Sequence, residues 1–203
     1  MNAVPQKPPP RTTPRKISIK RIKTPQIDID VHAEVLADTK SAKVKGGETT
    51  FEPAGKLSGG SLYATPGYSW IQKGALKTVS KLNGPVEIRG TIRIQTAYSP
   101  KANPADRSAY GRGTTPEDEK SGNTSLGFHE YCHQNDYIKY LQTKRFPAFG
   151  GKVGMTEQQY IQAQKSFVQS MDNYFKEMEK YSQRLTDEVG YKKSTFQARG
   201  PRP

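Results

Sequence analysis

The sequence predicts an α+β fold in which a twisted antiparallel sheet in the N-terminal half is followed by two long packed helices. Residues 26–36 and 86–98 alternate between apolar and polar side chains, which is the period of a half-buried β-strand. From about residue 124 onward, apolar side chains recur every three or four positions, as on one face of an amphipathic helix. A chain of 203 residues with 33% hydrophobic residues has enough apolar surface for one domain with a modest core.

The two alternating segments supply the clearest strands of the predicted sheet. In the first segment His32 lies on the polar face, where we expect a surface side chain. Residues 40–84 are rich in glycine, serine and threonine, which indicates turns and short strands, with Trp70 as an anchor in the core. The second segment, 86–98, has the longest strand pattern of the chain. Residues 99–122 are polar and aperiodic, which predicts a long surface loop.

Two long helices follow. The first is predicted over residues 124–145, and three residues before it are able to cap its N-terminus: Asn123, Thr124 and Ser125. The second begins at Thr156, which forms a predicted capping box with Gln159, and it runs towards Glu188. Gly190 stands where a C-terminal glycine is expected. Both helices need a partner for their apolar faces, so we expect them to pack on each other.

Residues 129–133 read His-Glu-Tyr-Cys-His, which is the HExxH pattern. Side chains four residues apart lie about 40° apart around a helix, so His129 and His133 are able to bind one metal ion. Glu130 lies beside them and is able to accept a proton from a water molecule at that ion. The pattern therefore predicts a Zn²⁺ site in which Glu130 is the general base.

The alternative interpretation is that the pattern arose by chance on a solvated helix. Two observations favour the metal site: two of only three histidines lie in the pattern, and its flanks are apolar at helical spacing. Cys132 points away from the face that carries the two histidines. We therefore predict that Cys132 is a small buried residue and neither a nucleophile nor a ligand.

Catalytic zinc sites have three protein ligands, so HExxH leaves one ligand to be found. The extended pattern HExxHxxGxxH is excluded, because Asp136 and Lys139 stand where its glycine and histidine would be. The third ligand is therefore expected to be a carboxylate from the second helix, which packs against the first. The acidic residues of that helix are Asp172, Glu177, Glu179, Asp187 and Glu188.

Residues 86–190 resemble part of a family of uncharacterised bacterial zinc-dependent proteases, in which a strand-rich half precedes an HExxH helix and a second helix. In that family a tyrosine precedes a Thr-x-His-Gly-like motif, whose histidine is taken as the third ligand. Here Tyr181 precedes Thr-Asp-Glu-Val-Gly at residues 186–190, and Glu188 stands in place of the histidine. Val189 stands where the glycine would be, and the tyrosine-to-threonine spacing is one residue longer.

The resemblance implies a zinc metallopeptidase of the zincin type, with Glu188 as the third ligand. Glu177 and Asp187 are the alternatives. A His-His-Glu set also resembles the site of thermolysin-like enzymes. We expect residues 26–190 to form the single catalytic domain. The donor to the oxyanion is left open among three tyrosines: Tyr131, Tyr181 and Tyr191.

A peptide or protein substrate is expected, bound by strand addition to 86–98 as an edge strand. Three other classes of function stay open at this point. These classes are an amidase that acts on cell-wall peptides, a binding protein of the same fold without an active metal, and a nucleic-acid binder in which HExxH is accidental. The net charge of +13 is the observation that suggests a nucleic-acid binder.

The charge lies mainly in two tails, which argues against nucleic acid. Residues 1–24 carry seven basic residues and no acid, and residues 191–203 carry four and no acid, so the remaining body is nearly balanced. No aromatic side chain interleaves the N-terminal charges. We predict a disordered, basic, proline-rich arm at 1–25 and a basic flexible tail at 191–203. The exception in the arm is an isoleucine set that would suit a short strand: Ile17, Ile19 and Ile22.

Neither a membrane span nor a secretory signal is predicted, because no long apolar run is present. The expectation is a protein that works where it is made or that leaves by a specialised secretion system. Basic tails suit an acidic partner or such secretion machinery. A metallopeptidase with a basic, proline-rich N-terminus resembles toxin-like bacterial effectors.

Overall fold

The computed structural model describes residues 13–43 and 45–190, with a sheet in the N-terminal half and helices in the C-terminal half. The predicted α+β class is therefore confirmed. The strands are β1 (Arg15–Lys23), β2 (Ile27–Val35), β3 (Gly47–Gly55), β4 (Tyr63–Ala64), β5 (Gly67–Lys73), β6 (Leu76–Asn83) and β7 (Val86–Tyr98). The α-helices are α1 (Pro116–Lys120), α2 (Leu126–Thr143) and α3 (Glu157–Ser182), and a π-helical turn follows at Gln183–Asp187.

The main sheet has the strand order β1-β2-β7-β3, and the short β4 also pairs with β7. Strands β2 and β7 are parallel, with Val31 opposite Gly90, and the other pairs are antiparallel. The sheet is thus mixed, where a wholly antiparallel sheet was predicted, because the long connection from β2 to β7 brings the chain back in the same direction. Since β7 has a neighbour on each side, the expectation that 86–98 is an edge strand is wrong. Periodicity reports which face of a strand is buried, but it does not report the neighbours of that strand.

Strand β1 corrects the prediction of a disordered arm over residues 1–25. It pairs with β2 in an antiparallel register that places Ile17 opposite Ala33. Ile17 and Ile19 pack against the core, which stabilises a segment that its charges alone would leave solvated. Residues 1–12 of the arm and the predicted tail at 191–203 lie outside the described residues.

The core lies between the inner face of the main sheet and the two long helices. Most alternating apolar residues of β2 and β7 are buried there, as their pattern predicts, although Ile27 at the start of β2 is exposed. The helices contribute long side chains at three-to-four spacing. Core residues without solvent exposure include Val31, Ala33, Val35, Ile92, Ile94, Leu141, Met171 and Met178.

The hairpin β5-β6 forms a separate two-stranded sheet beside α3. Its contributions to the interior are Val79, which is buried, and Tyr68, whose ring lies 4.5 Å from that of Tyr160. Trp70 is 44% exposed, with the Lys77 Nζ atom 3.8 Å from its ring centroid. The prediction of Trp70 as a core anchor is wrong, because the small hairpin covers α3 through other side chains.

The helix boundaries follow the predicted capping residues. Ser125 is the N-cap of α2, and its Oγ accepts a hydrogen bond from the Phe128 backbone N–H. The capping box of Thr156 and Gln159 is present at the start of α3. Gly190, at φ 77°, ends the π-helical turn region, where a residue with a side chain would be strained. Among the described residues no helix combines the length and apolarity that crossing a membrane requires.

Candidate metal centre

Helix α2 turns its HExxH segment towards the interior of the molecule. His129, Glu130 and His133 are 1%, 2% and 8% exposed, so all three polar side chains are held away from bulk water. Burying such groups is costly unless each polar atom has a partner. The partners come from segment 111–113, from α3, from the π-helical turn and from strand β3.

Three ligand atoms converge on one point. The Nε2 atoms of His129 and His133 lie 3.3 Å apart, and the Oδ1 atom of Asp187 lies 3.2 Å and 3.1 Å from them. Ligands that are about 2.0–2.1 Å from a tetrahedral zinc ion lie about 3.3 Å from one another. The triangle formed by His129, His133 and Asp187 therefore has the dimensions of one face of a zinc coordination tetrahedron.

The hydrogen bonds of the two rings leave lone pairs facing this point. The His129 Nδ1 lies 3.0 Å from the Arg112 carbonyl oxygen, which only accepts, so Nδ1 carries the proton. The His133 Nδ1 lies 2.8 Å from the Ser182 Oγ, and that hydroxyl is able to donate to Asp136 at 3.4 Å. In neutral rings both Nε2 atoms are then unprotonated. Two lone pairs and a carboxylate oxygen at this separation repel one another unless a cation or a proton lies between them.

The structure brings Asp187 to the two histidines, in place of the predicted Glu188. Asp187 joins the two histidines, whereas Glu188 is exposed and Glu177 forms a surface ion pair with Lys180 at 2.9 Å. The cause is the π-helical turn after Ser182, in which the Glu188 N–H donates to the Gln183 carbonyl five residues earlier. A π turn contains more residues per revolution than an α-helix, so the period of α3 does not predict which side chain of the turn faces the histidines.

The segment 111–113 ties the π-helical turn to α2, although 99–122 was predicted as a surface loop. The Arg112 N–H donates to the Thr186 carbonyl at 2.7 Å, and the Arg112 carbonyl receives the bond from His129. Gly111, at φ 60°, lies so close to Thr186 that a Cβ atom would overlap its carbonyl oxygen. The buried Asp118 accepts two bonds from the Arg112 guanidinium, which fixes this segment.

Glu130 is held by a chain of hydroxyl groups on β3 and β7. The Thr49 Oγ1 donates to Glu130 Oε2 at 2.8 Å, and the Thr96 hydroxyl lies 2.7 Å from Thr49. The Gln134 side chain donates to Thr96 at 2.7 Å, so donation runs in one direction towards the carboxylate. Gly47 makes room for it, since a Cβ there would lie 2.7 Å from Oε1. Thr49, Thr96 and Gly47 lie far from the HExxH motif along the chain, so no pattern around the motif indicates them.

The electrostatics of the centre favour positive charge at the point of convergence. Burial acts to raise the pKa of Asp187, but hydrogen bonds from the His129 and His133 rings, when these rings are protonated at Nε2, outweigh burial and lower it. Burial disfavours the charged form of His129, yet the bond to Asp187 raises the pKa of that ring. Burial raises the pKa of Glu130, against the opposing influence of the two histidines. The centre therefore attracts a cation, and Glu130 holds a proton more readily than an exposed glutamate.

The remaining candidates lie outside the cluster. Cys132 is buried, and burial raises the pKa of its thiol to about 12, as suits a non-ligating residue. His32 forms an ion pair with Asp30 on β2 at 3.1 Å. The Tyr181 ring packs 5.4 Å from that of Tyr140. Tyr110 was not singled out from the sequence, yet its ring lies 4.9 Å from the His129 ring.

Of the other predicted oxyanion donors, Tyr131 is half-buried on α2, and Tyr191 lies outside the described residues.

Comparison of the chain with protein-family models, with curated proteins and with solved structures finds no match. The interpretation of the centre therefore rests on its own geometry.

Proposed function

We propose that this protein is a zinc-dependent hydrolase of peptide bonds in which His129, His133 and Asp187 hold the metal and Glu130 is the general base. The observation that carries the proposal is the triangle of three lone-pair atoms 3.1–3.3 Å apart, with a buried carboxylate beside it. Imidazole and carboxylate groups are the ligands of catalytic zinc sites, which keep a fourth position open for substrate or water.

The protein side chains have separate tasks in this proposal. A bound Zn²⁺ supplies Lewis acidity, which polarises the scissile carbonyl and makes water a better nucleophile. Glu130 accepts the proton of the attacking water and later donates it to the leaving amine. The hydroxyl of Thr49 orients the carboxylate by donating to Oε2. The bonds from the Nδ1 atoms of His129 and His133 orient the two rings, and so aim their Nε2 atoms.

The strand that is suitable for substrate binding is β3, in place of the predicted 86–98. β3 is the last strand in the order β1-β2-β7-β3, so one of its edges has no strand partner among the described residues. Its residue Thr49 contacts Glu130 directly. An extended peptide added to that edge would pass the candidate centre, with main-chain hydrogen bonds giving affinity.

The first test is metal analysis of the protein purified without added metal. We expect about one zinc per chain, and we expect His129→Ala and His133→Ala to lose it. His32→Ala serves as the control, because this histidine lies on β2 in an ion pair with Asp30. Loss of zinc in the His32 variant, or retention in both motif variants, would show that the metal site lies elsewhere.

The second step is a peptidase assay against mixed peptides, including cell-wall peptides. Hydrolysis that disappears with a chelator and returns with zinc supports the proposed class. Stoichiometric zinc without hydrolysis of any of these amide bonds would instead favour a binding protein with a structural metal.

A further inference from the structure

Asp136 lies on α2, three residues after His133. It accepts hydrogen bonds from two hydroxyl groups, one at the end of α3 and one in the π-helical turn. The Thr186 Oγ1 donates to its Oδ2 atom at 2.8 Å, and the Ser182 Oγ donates to the same atom at 3.4 Å. Both hydroxyl residues have no solvent exposure. Buried hydroxyl groups need an acceptor, and Asp136 supplies one acceptor for both.

Each of the two hydroxyl residues is connected to a different proposed metal ligand. The Ser182 Oγ lies 2.8 Å from the Nδ1 atom of His133. Thr186 directly precedes Asp187 in the π-helical turn. A single carboxylate on α2 is therefore linked to one ligand on its own helix and to one ligand on the neighbouring segment.

We infer that Asp136 is a positioning residue, which fixes His133 through Ser182 and Asp187 through Thr186 so that both aim at one metal ion. The inference rests on the proposed metal site and extends it to three residues outside the ligand set. Replacing a residue that hydrogen-bonds to a metal ligand commonly weakens metal affinity by about 10–100-fold.

The hydrogen-bond directions explain how Asp136 acts. When Ser182 donates its single proton to the carboxylate, its oxygen must accept from the protonated Nδ1 of His133. The Nε2 atom of that ring is then the free metal-binding atom. On the other branch, the bond to Thr186 anchors the π-helical turn to α2, and Arg112 anchors the same turn from the opposite side through the Thr186 carbonyl. Asp187 is left with little freedom to move away from the histidines.

The test measures zinc dissociation constants by competition with a chromophoric chelator. We expect Asp136→Ala and Asp136→Asn to weaken zinc binding by about 10–100-fold, and Ser182→Ala and Thr186→Val by smaller factors. Asp28→Asn is the control: Asp28 is a carboxylate with limited exposure, like Asp136, but its partner is Arg89 on β7 and it has no contact with the centre. Its dissociation constant should equal that of the wild type.

A triple variant tests whether Asp136 acts through the hydroxyl groups of Ser182 and Thr186. If Asp136 acts through the two hydroxyl groups, adding Ser182→Ala and Thr186→Val to Asp136→Ala should cause little further loss of affinity. Cobalt substitution provides a second measurement, since the visible absorption of bound Co²⁺ reports ligand geometry and should change in the Asp136 variants. Should Asp136→Ala not fold, Asp136→Asn and Thr186→Val carry the test.

The outcomes separate this inference from the proposed function. Zinc binding by the wild type with unchanged affinity in the Asp136 variants overturns the positioning role alone. Asp136 variants with a lower melting temperature in the metal-free state and unchanged zinc affinity show a purely structural role, which also overturns it. A wild-type protein that binds no zinc refutes the proposed function itself, and the positioning role with it.

Discussion

The candidate centre is assembled from two kinds of backbone. His129 and His133 lie on a regular α-helix, where a separation of four residues alone puts them on one face. Asp187 lies in a π-helical turn, whose position depends on one hydrogen bond donated by Arg112 and another accepted by Asp136. The two histidines are therefore brought together by local geometry, and Asp187 is brought to them by packing. Changes in the two regions should have different consequences.

The largest effect is expected from a change on the regular helix that leaves the ligands in place. Glu130→Gln keeps the size of the side chain but removes the proton acceptor, so hydrolysis should fall by about 10²–10⁴-fold while zinc content is unchanged. Glu177→Gln is the control, because Glu177 is exposed and paired with Lys180. Turnover near the wild-type rate in the Glu130 variant would contradict its role as general base.

The next prediction distinguishes two adjacent acids in the turn. Asp187→Ala should weaken zinc binding by at least about a hundredfold, since it removes one of three protein ligands. Glu188→Ala should leave zinc binding unchanged, because Glu188 is exposed. Chelator competition measures both. The reverse result would restore Glu188 as the ligand that the resemblance implied.

A glycine substitution tests how strongly the turn depends on its neighbouring segment. Gly111→Ala should lower the free energy of unfolding by about 2–4 kcal/mol, because it combines a left-handed backbone with overlap at the Thr186 carbonyl. Gly74→Ala is matched to it, since its φ of 63° is similar and no atom lies within 4 Å of the added methyl. Its cost should be about 1–2 kcal/mol. Urea unfolding measures both values, and equal costs would mean that the contact with Thr186 is unimportant.

The smallest effect is expected in the sheet, far from the centre. Ile17→Ala in β1 removes a side chain that packs on the core, and it should cost about 1–2 kcal/mol of unfolding free energy. Ile22→Ala is the control, because Ile22 is exposed and should cost less. Thermal unfolding of both variants would reveal the difference. An unchanged stability on replacing Ile17 would indicate that β1 adds little to the fold.

The sequence alone determined the elements whose pattern is local. Alternation located β2 and β7, and helical spacing with capping residues located α2 and α3. The HExxH spacing was sufficient to bring His129 and His133 together, because four residues of α-helix fix their angle whatever surrounds them.

Tertiary structure decided what depends on partners distant in sequence. It made β7 central and β3 the edge, and it added β1 to the sheet, because neighbours in a sheet are chosen by chain path as well as by pattern. It also placed Asp187 and not Glu188 beside the histidines, since the π-helical turn is held by a hydrogen bond from Arg112 and by one to Asp136. These hydrogen bonds join residues that are far apart along the chain, so no short sequence motif predicts them.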